Sequence, residues 1–171
     1  MAMKSKFAAT PAKLSPFSQS VLRELGKRVA IGFPADGAGR QPEPGEPNPP
    51  TNAMLAYLNE YGAPDQNIPQ RPFLVPGVES ITKQAAERLK KGAIAAFSGD
   101  LSAPVKALNQ VGLIGVAAVQ ERMTDGTFAP LAERTLAARR ARGRTGEKPL
   151  IDSAQMRRAV TYAILNKGQG E

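Results

Sequence analysis

Ten of the fifteen prolines fall in two stretches, six between Pro34 and Pro50 and four between Ala63 and Pro76, and this placement limits what the chain can fold into. Proline fixes φ and has no N–H to give to a helix or a ladder, so neither stretch suits a central strand or the interior of a long helix. The first, PADGAGRQPEPGEPNPP, also has almost no apolar side chain; it reads as an exposed, extended loop of polyproline character, either a solvated linker or a partner-binding loop. In the second, Ile68, Phe73, Leu74 and Val75 anchor a backbone fixed without ladder bonds. Regular structure must come from what lies around and between them.

Ser15-Pro16 followed by Phe17, Val21, Leu22 and Leu25 supplies an N-cap, a proline at the first helical position and apolar residues at helical spacing, and Gly26 supplies a stop. The segment RVAIGF, Arg28 to Phe33, sets Val29, Ile31 and Phe33 on one face and reads as a strand. Thr51 or Asn52 caps a helix over Ala53–Tyr61, with Met54, Leu55, Leu58 and Tyr61 spaced for burial and Gly62 ending it. From Val78 to Phe97 apolar residues recur at a 3.6 period, Glu87 stands four residues before Lys91, and a Ser-Gly-Asp break follows at 98–100. The next helix, about Ser102 to Met123, contains VGLIGVAAV and is expected to be the central core helix. Gly112 and Gly115 each cost about 1 kcal/mol against Ala in a helix interior, so they are expected to admit another element closely; a small-residue contact between subunits is the alternative.

A turn at 124–127 leads to Pro130-Leu131 and a helix over Ala132–Ala141, with Leu136 inward and Arg134, Arg139 and Arg140 outward; 142–146 must be a loop. Asp152 or Ser153 caps a short helix through Arg157, and Ala159–Ile164 alternates like a strand. Two strand-like segments in a largely helical chain predict an α+β fold, several helices packed on a small antiparallel sheet. The expected organisation is a flexible N-terminal arm over 1–15, one domain over 16–165 with the proline-rich loop inserted at 34–50, and a frayed tail at 166–171.

With no His and no Cys, imidazole acid–base chemistry, Ser-His-Asp and Cys-His nucleophiles, N/S zinc sites and disulfides are all excluded. The fifteen Asp and Glu are scattered singly, and the nearest pairs, Glu43 with Glu46 and Glu121 with Asp125, read as solvated surface rather than a magnesium site. No glycine run has the Gly-Lys-Ser/Thr ending or the GxGxxG pattern of a phosphate loop. No enzymatic activity and no cofactor are expected. No signal peptide is readable, and Val111–Val119 falls far short of the ~18 apolar residues that cross a bilayer, so a soluble, cytoplasmically made protein without a membrane partner is expected.

The net charge of +8 is uneven: Arg134, Arg139, Arg140, Arg142, Arg144 and Lys148 stand against two acids between Ala132 and Lys148, a local excess of +4. Such a cluster suits phosphate neutralisation or an acidic partner, but no aromatic lies among the arginines to stack bases, which argues against sequence-specific RNA or single-strand recognition. Arg71, held between Pro69 and Pro72, is suited to a buried ion pair or a subunit contact, with satisfaction inside the fold favoured.

Taken in order, Asn52-Ala53, Asn59-Glu60-Tyr61-Gly62, Ile68-Pro69-Gln70-Arg71-Pro72-Phe73-Leu74, Pro130-Leu131, Thr135-Leu136, Arg139, Arg142-Gly143 and Pro149-Leu150-Ile151-Asp152-Ser153 ahead of a Tyr-bearing strand resemble the tail-completion, or virion morphogenesis, family of tailed bacteriophages. The resemblance covers about Arg28 to Leu165; the departures are Ser153-Ala154, where the family commonly has Thr-Gly, and the unusually proline-rich loop. It implies a structural protein of the head–tail junction in the virion, a homo-oligomer placed as a ring of six copies between head-completion or connector proteins and tail-terminator or tail-tube proteins. Repeated around a lumen, the basic patch would form a belt that holds the end of packaged DNA without reading sequence. A tail terminator or minor tail protein is the alternative within that class, and a basic, non-sequence-specific DNA-binding protein is the alternative outside it.

Overall fold

The computed structural model describes residues 14–33, 41–42, 49–152 and 154–167. Its organising element is helix α5 (Ala103–Asp125), which buries eight residues from Pro104 to Met123, as a segment apolar on nearly every side requires. Helices α3 (Leu74–Ser80) and α4 (Thr82–Phe97) pack along it, and so does a two-stranded sheet. In the sheet β1 (Arg28–Gly32) runs antiparallel to β2 (Thr161–Leu165), with Arg28 opposite Leu165 and Gly32 opposite Thr161. Helix α1 (Pro16–Leu25) leads into β1, helix α2 (Asn52–Tyr61) packs on α7 (Gln155–Ala159), and α6 (Glu133–Ala141) carries the basic cluster. The expected α+β architecture is what the chain adopts.

The two glycines of α5 are the seats of the sheet. A Cβ on Gly112 would overlap the ring of Tyr162 on β2, and one on Gly115 would overlap Cδ1 of Ile31 on β1. Close approach within the chain is therefore their use, and the Tyr162 hydroxyl is held in place by donating to Asn109 Oδ1 at 2.9 Å. We expect Gly112→Val to cost about 2–3 kcal/mol by overpacking, measured by urea unfolding, while Gly146→Ala, where a Cβ meets nothing within 4 Å, stays within about 0.5 kcal/mol of wild type.

Local end signals act as the sequence predicts. Ser15 Oγ accepts from Ser18 N and Pro16 opens α1; Thr51 Oγ1 accepts from Met54 N to start α2, which ends at Gly62 with φ 73°. Four expectations are corrected. The helix expected from Val78 to Phe97 is two helices meeting at Ile81, and the first begins at Leu74, so it takes in Leu74–Pro76 from the proline-fixed stretch; Pro76 is tolerated in a first turn, whose N–H groups have no partner within the helix. The buried face of α2 is Asn52, Ala56 and Glu60, whereas Met54 and Tyr61 are more than half exposed and Leu55 and Leu58 half-buried. The second strand starts at Thr161, two residues after the expected Ala159, because Ala159 still belongs to α7. Asp152 does not cap α7, which is entered from Ala154 at φ 56° without a side-chain cap; Asp152 is engaged by arginines instead. The expectations for residues 1–13, for most of the 34–50 loop, for Ser153 and for 168–171 lie outside the described residues.

Candidate functional site

The motif residues Asn59-Glu60-Tyr61-Gly62 and Pro69–Leu74, separated in sequence, meet at one junction. Phe73, with no exposed surface, is the anchor; it packs edge-to-face on Phe33, ring centroids 6.1 Å apart, within the core cluster of Ala56, Val119, Met123, Leu150, Met156 and Val160. Placing Phe73 there starts α3 inside the protein and leaves its first N–H groups without water. Glu60, projecting from α2 and only 6% exposed, answers them: its Oε2 accepts from Phe73 N and Leu74 N, both at 2.8 Å, and its Oε1 from Val75 N at 3.0 Å. A carboxylate at a helix N-terminus also meets the positive end of the peptide dipoles. Glu60 is therefore a cap delivered from another helix.

Arg71 locks the same junction from the other side. Its backbone N–H donates to Asn59 O at 2.6 Å, and its buried guanidinium donates from Nε to Ala129 O and from Nη2 to Pro130 O, both at 2.8 Å. The satisfaction favoured by sequence is found, but with main-chain carbonyls in place of a carboxylate. Burial, and secondarily the nearby charge of Arg139, lowers the Arg71 pKa from its ordinary value. Asn59 Nδ2 donates to Leu55 O, and Gly62 N–H to Leu58 O. Gly62 is needed twice over: φ is positive, and a Cβ would lie 2.9 Å from Ile68 O. Tyr61 points outward and packs against Tyr57, ring centroids 4.9 Å apart and tilted by 48°, while Pro69 and Pro72 are exposed.

The basic cluster divides. Arg139, expected outward, is buried at 7% exposure; Nη1 donates to Gly146 O and Lys148 O at 2.8 and 2.9 Å, and Nε stands 3.5 Å from Asp152 Oδ1. Thr135, Leu136 and Arg139 share a helix face by their four- and three-residue spacing, so the inward turn of Leu136 carries Arg139 with it. This spacing was the available signal. Arg144 pairs with Asp152 Oδ2 at 2.9 Å, Arg140 pairs with Glu133, and Arg134 Nη2 donates weakly to Gln66 O at 3.4 Å. Lys148 Nζ donates to Thr124 O at 3.2 Å. Arg142 is exposed, and its side chain makes no hydrogen bond or ion pair with a described residue. The cluster thus works first as a clasp on the 142–152 segment, with Arg142 the cation it leaves open. The pairing of Asp152, expected instead as a helix cap, with Arg139 and Arg144, and that of Glu133 with Arg140, escaped sequence reasoning because an ion pair across a loop has no fixed spacing.

Among the described residues no group of three or more acids, His or Cys is placed to hold a metal ion, and no helix is long and apolar enough to cross a membrane. The site defined is one of interlocked main-chain and side-chain braces in an α+β protein. Compared with protein-family models, with curated proteins and with solved structures, the chain matches none of them.

Proposed function

We propose that the chain is a structural subunit of the head–tail junction of a tailed bacteriophage, a tail-completion or neck protein that works as one copy in a ring and performs no catalysis. One observation carries the reading: the ordered motif segments, scattered from residue 59 to residue 152, are those that brace one another. Glu60 of the first caps the helix that opens at the end of the second, Arg71 of the second holds the carbonyls of 129–130, and Arg139 gathers 146, 148 and 152. A chance string of matching residues has no reason to converge in space.

A ring subunit needs rigid docking segments, and the exposed prolines at 64, 69 and 72 on a braced backbone supply them. Arg142, repeated around the ring, is the cation best placed for the DNA end, since Arg139 is turned inward. Deleting the coding sequence from its phage is expected to leave filled heads and tails separate in electron micrographs, with joining restored by supplying the protein. Joined particles at undiminished infectious titre in the deletion would overturn the proposal.

A further inference from the structure

The outward side of α4 and a cleft beside the far end of α5 both stand open, and they are opposite in character. α4 turns Gly92 and Ala96 toward α5. At about 100° per residue, the side furthest from that stripe carries Lys83, Glu87 and Ile94, with Lys90 and Phe97 on one flank and Lys91 on the other, so three lysines outweigh one acid there. Ile94 and Phe97 are 56% and 64% exposed. Lys90 and Lys91 are exposed as well, and neither ammonium group bonds to a described residue. An aromatic and an aliphatic side chain standing out together, rimmed by lysines, have the make-up of a contact anchor.

At the other end, α3 and α5 enclose a cleft of about 290 Å³ between Pro76 and Gly77 on one wall and Ala118, Glu121 and Asp125 on the other. Its walls are small, and Glu121 and Asp125 are exposed at its mouth without an ion pair among the described residues. Arg122 also lines the cleft but holds its guanidinium over the Phe128 ring, 5.5 Å from the centroid, which leaves the mouth acidic. Gly92 packs on Ala107, so the ridge lies beside the early turns of α5, and the helix rises about 21 Å from Ala107 to Glu121. The two surfaces are therefore well separated along one rigid rod.

We propose that these surfaces bind each other between copies of this chain, Phe97 and Ile94 of one protomer entering the small-walled cleft of the next, with Lys90 and Lys91 against Glu121 and Asp125. Because the two surfaces differ, the contact is heterologous and leaves one free ridge and one free cleft at every step, which propagates into a ring or a filament rather than ending at a two-fold dimer. The inference deepens the ring reading and rests on it for closure, but the contact itself stands on the complementarity described.

Sedimentation of the full chain at low ionic strength tests it. Wild type is expected to form concentration-dependent oligomers that weaken with salt. The double substitutions Lys90→Glu with Lys91→Glu, and Glu121→Lys with Asp125→Lys, each oppose like charges and are expected to weaken association at least about 100-fold. Mixing the two variants restores it, because every junction in an alternating assembly again pairs opposite signs. Phe97→Ser also abolishes association, and all these variants keep the wild-type melting temperature within about 2 °C, since only exposed side chains change. A wild type that stays monomeric at every concentration, reversed variants that associate as well as wild type, or a mixture that fails to recover each overturns the inference. A ring built through other faces would survive the second of these results, and the particle phenotype of the deletion decides the functional reading separately.

Discussion

Replacing Glu60 by Ala is expected to destabilise the protein by about 3 kcal/mol or more, lowering the melting temperature by roughly 6–12 °C. Three N–H groups at the start of α3 take their only described acceptor from this one carboxylate, and Phe73 and Leu74 stand where water does not replace it readily. Hydrogen bonds to a charged acceptor are worth about 1.5–3 kcal/mol each, with losses at one site less than additive. Glu60→Gln separates charge from acceptor geometry. Its single carbonyl oxygen can serve Phe73 and Leu74, but the amide NH2 then faces Val75 N, donor against donor, so only part of the loss is recovered. Urea unfolding of the three proteins measures this; an Ala variant within about 1 kcal/mol of wild type would refute the cap.

The second large effect is at Arg139. Arg139→Ala removes the donor to two loop carbonyls and leaves Asp152 with Arg144 alone, at an expected cost of about 3 kcal/mol. The loosening should be local first: trypsin cleavage after Arg142 and Arg144 is expected to accelerate more than tenfold, because the 142–152 segment loses its clasp. Arg139→Lys retains the charge but cannot span the same acceptors with one ammonium group, and recovers little. Arg142→Ser, by contrast, stays within about 0.5 kcal/mol. The burial of Arg139 corrects the expectation that it faces outward with Arg134 and Arg140, and equal stability of the Arg139 and Arg142 variants would refute the clasp.

What could be read directly from sequence was local. Ser15-Pro16, Thr51 and Gly62 set helix ends through atoms three or four residues away, and the run around Gly112 announced both its burial and the close approach of another element. What escaped depends on distant partners. The start of α3 at Leu74 follows from a cap that comes from another helix, and the apolar spacing of α2 misjudged its buried face because that face had to deliver Glu60 between a small Ala56 and the core. Arg71 was legible as satisfied within the fold but not by what, since main-chain acceptors at 129 and 130 leave no mark in residue identity. Much of the site was named in advance as a motif, and its geometry was not: a motif records which residues occur together, whereas the bonds among them depend on loops whose course sequence does not state.

The pairing of Arg28 with Leu165 has a consequence in time. At a synthesis rate of about 5–20 residues per second, β1 waits roughly 7–30 s for its partner strand to be made, and until then Ile31 has no complete site beside Gly115. The helical middle of the chain can collapse first, but the sheet that packs on α5 forms only once β2 has been made. The order of synthesis thus makes closure of the sheet over Gly112 and Gly115 a late step of folding.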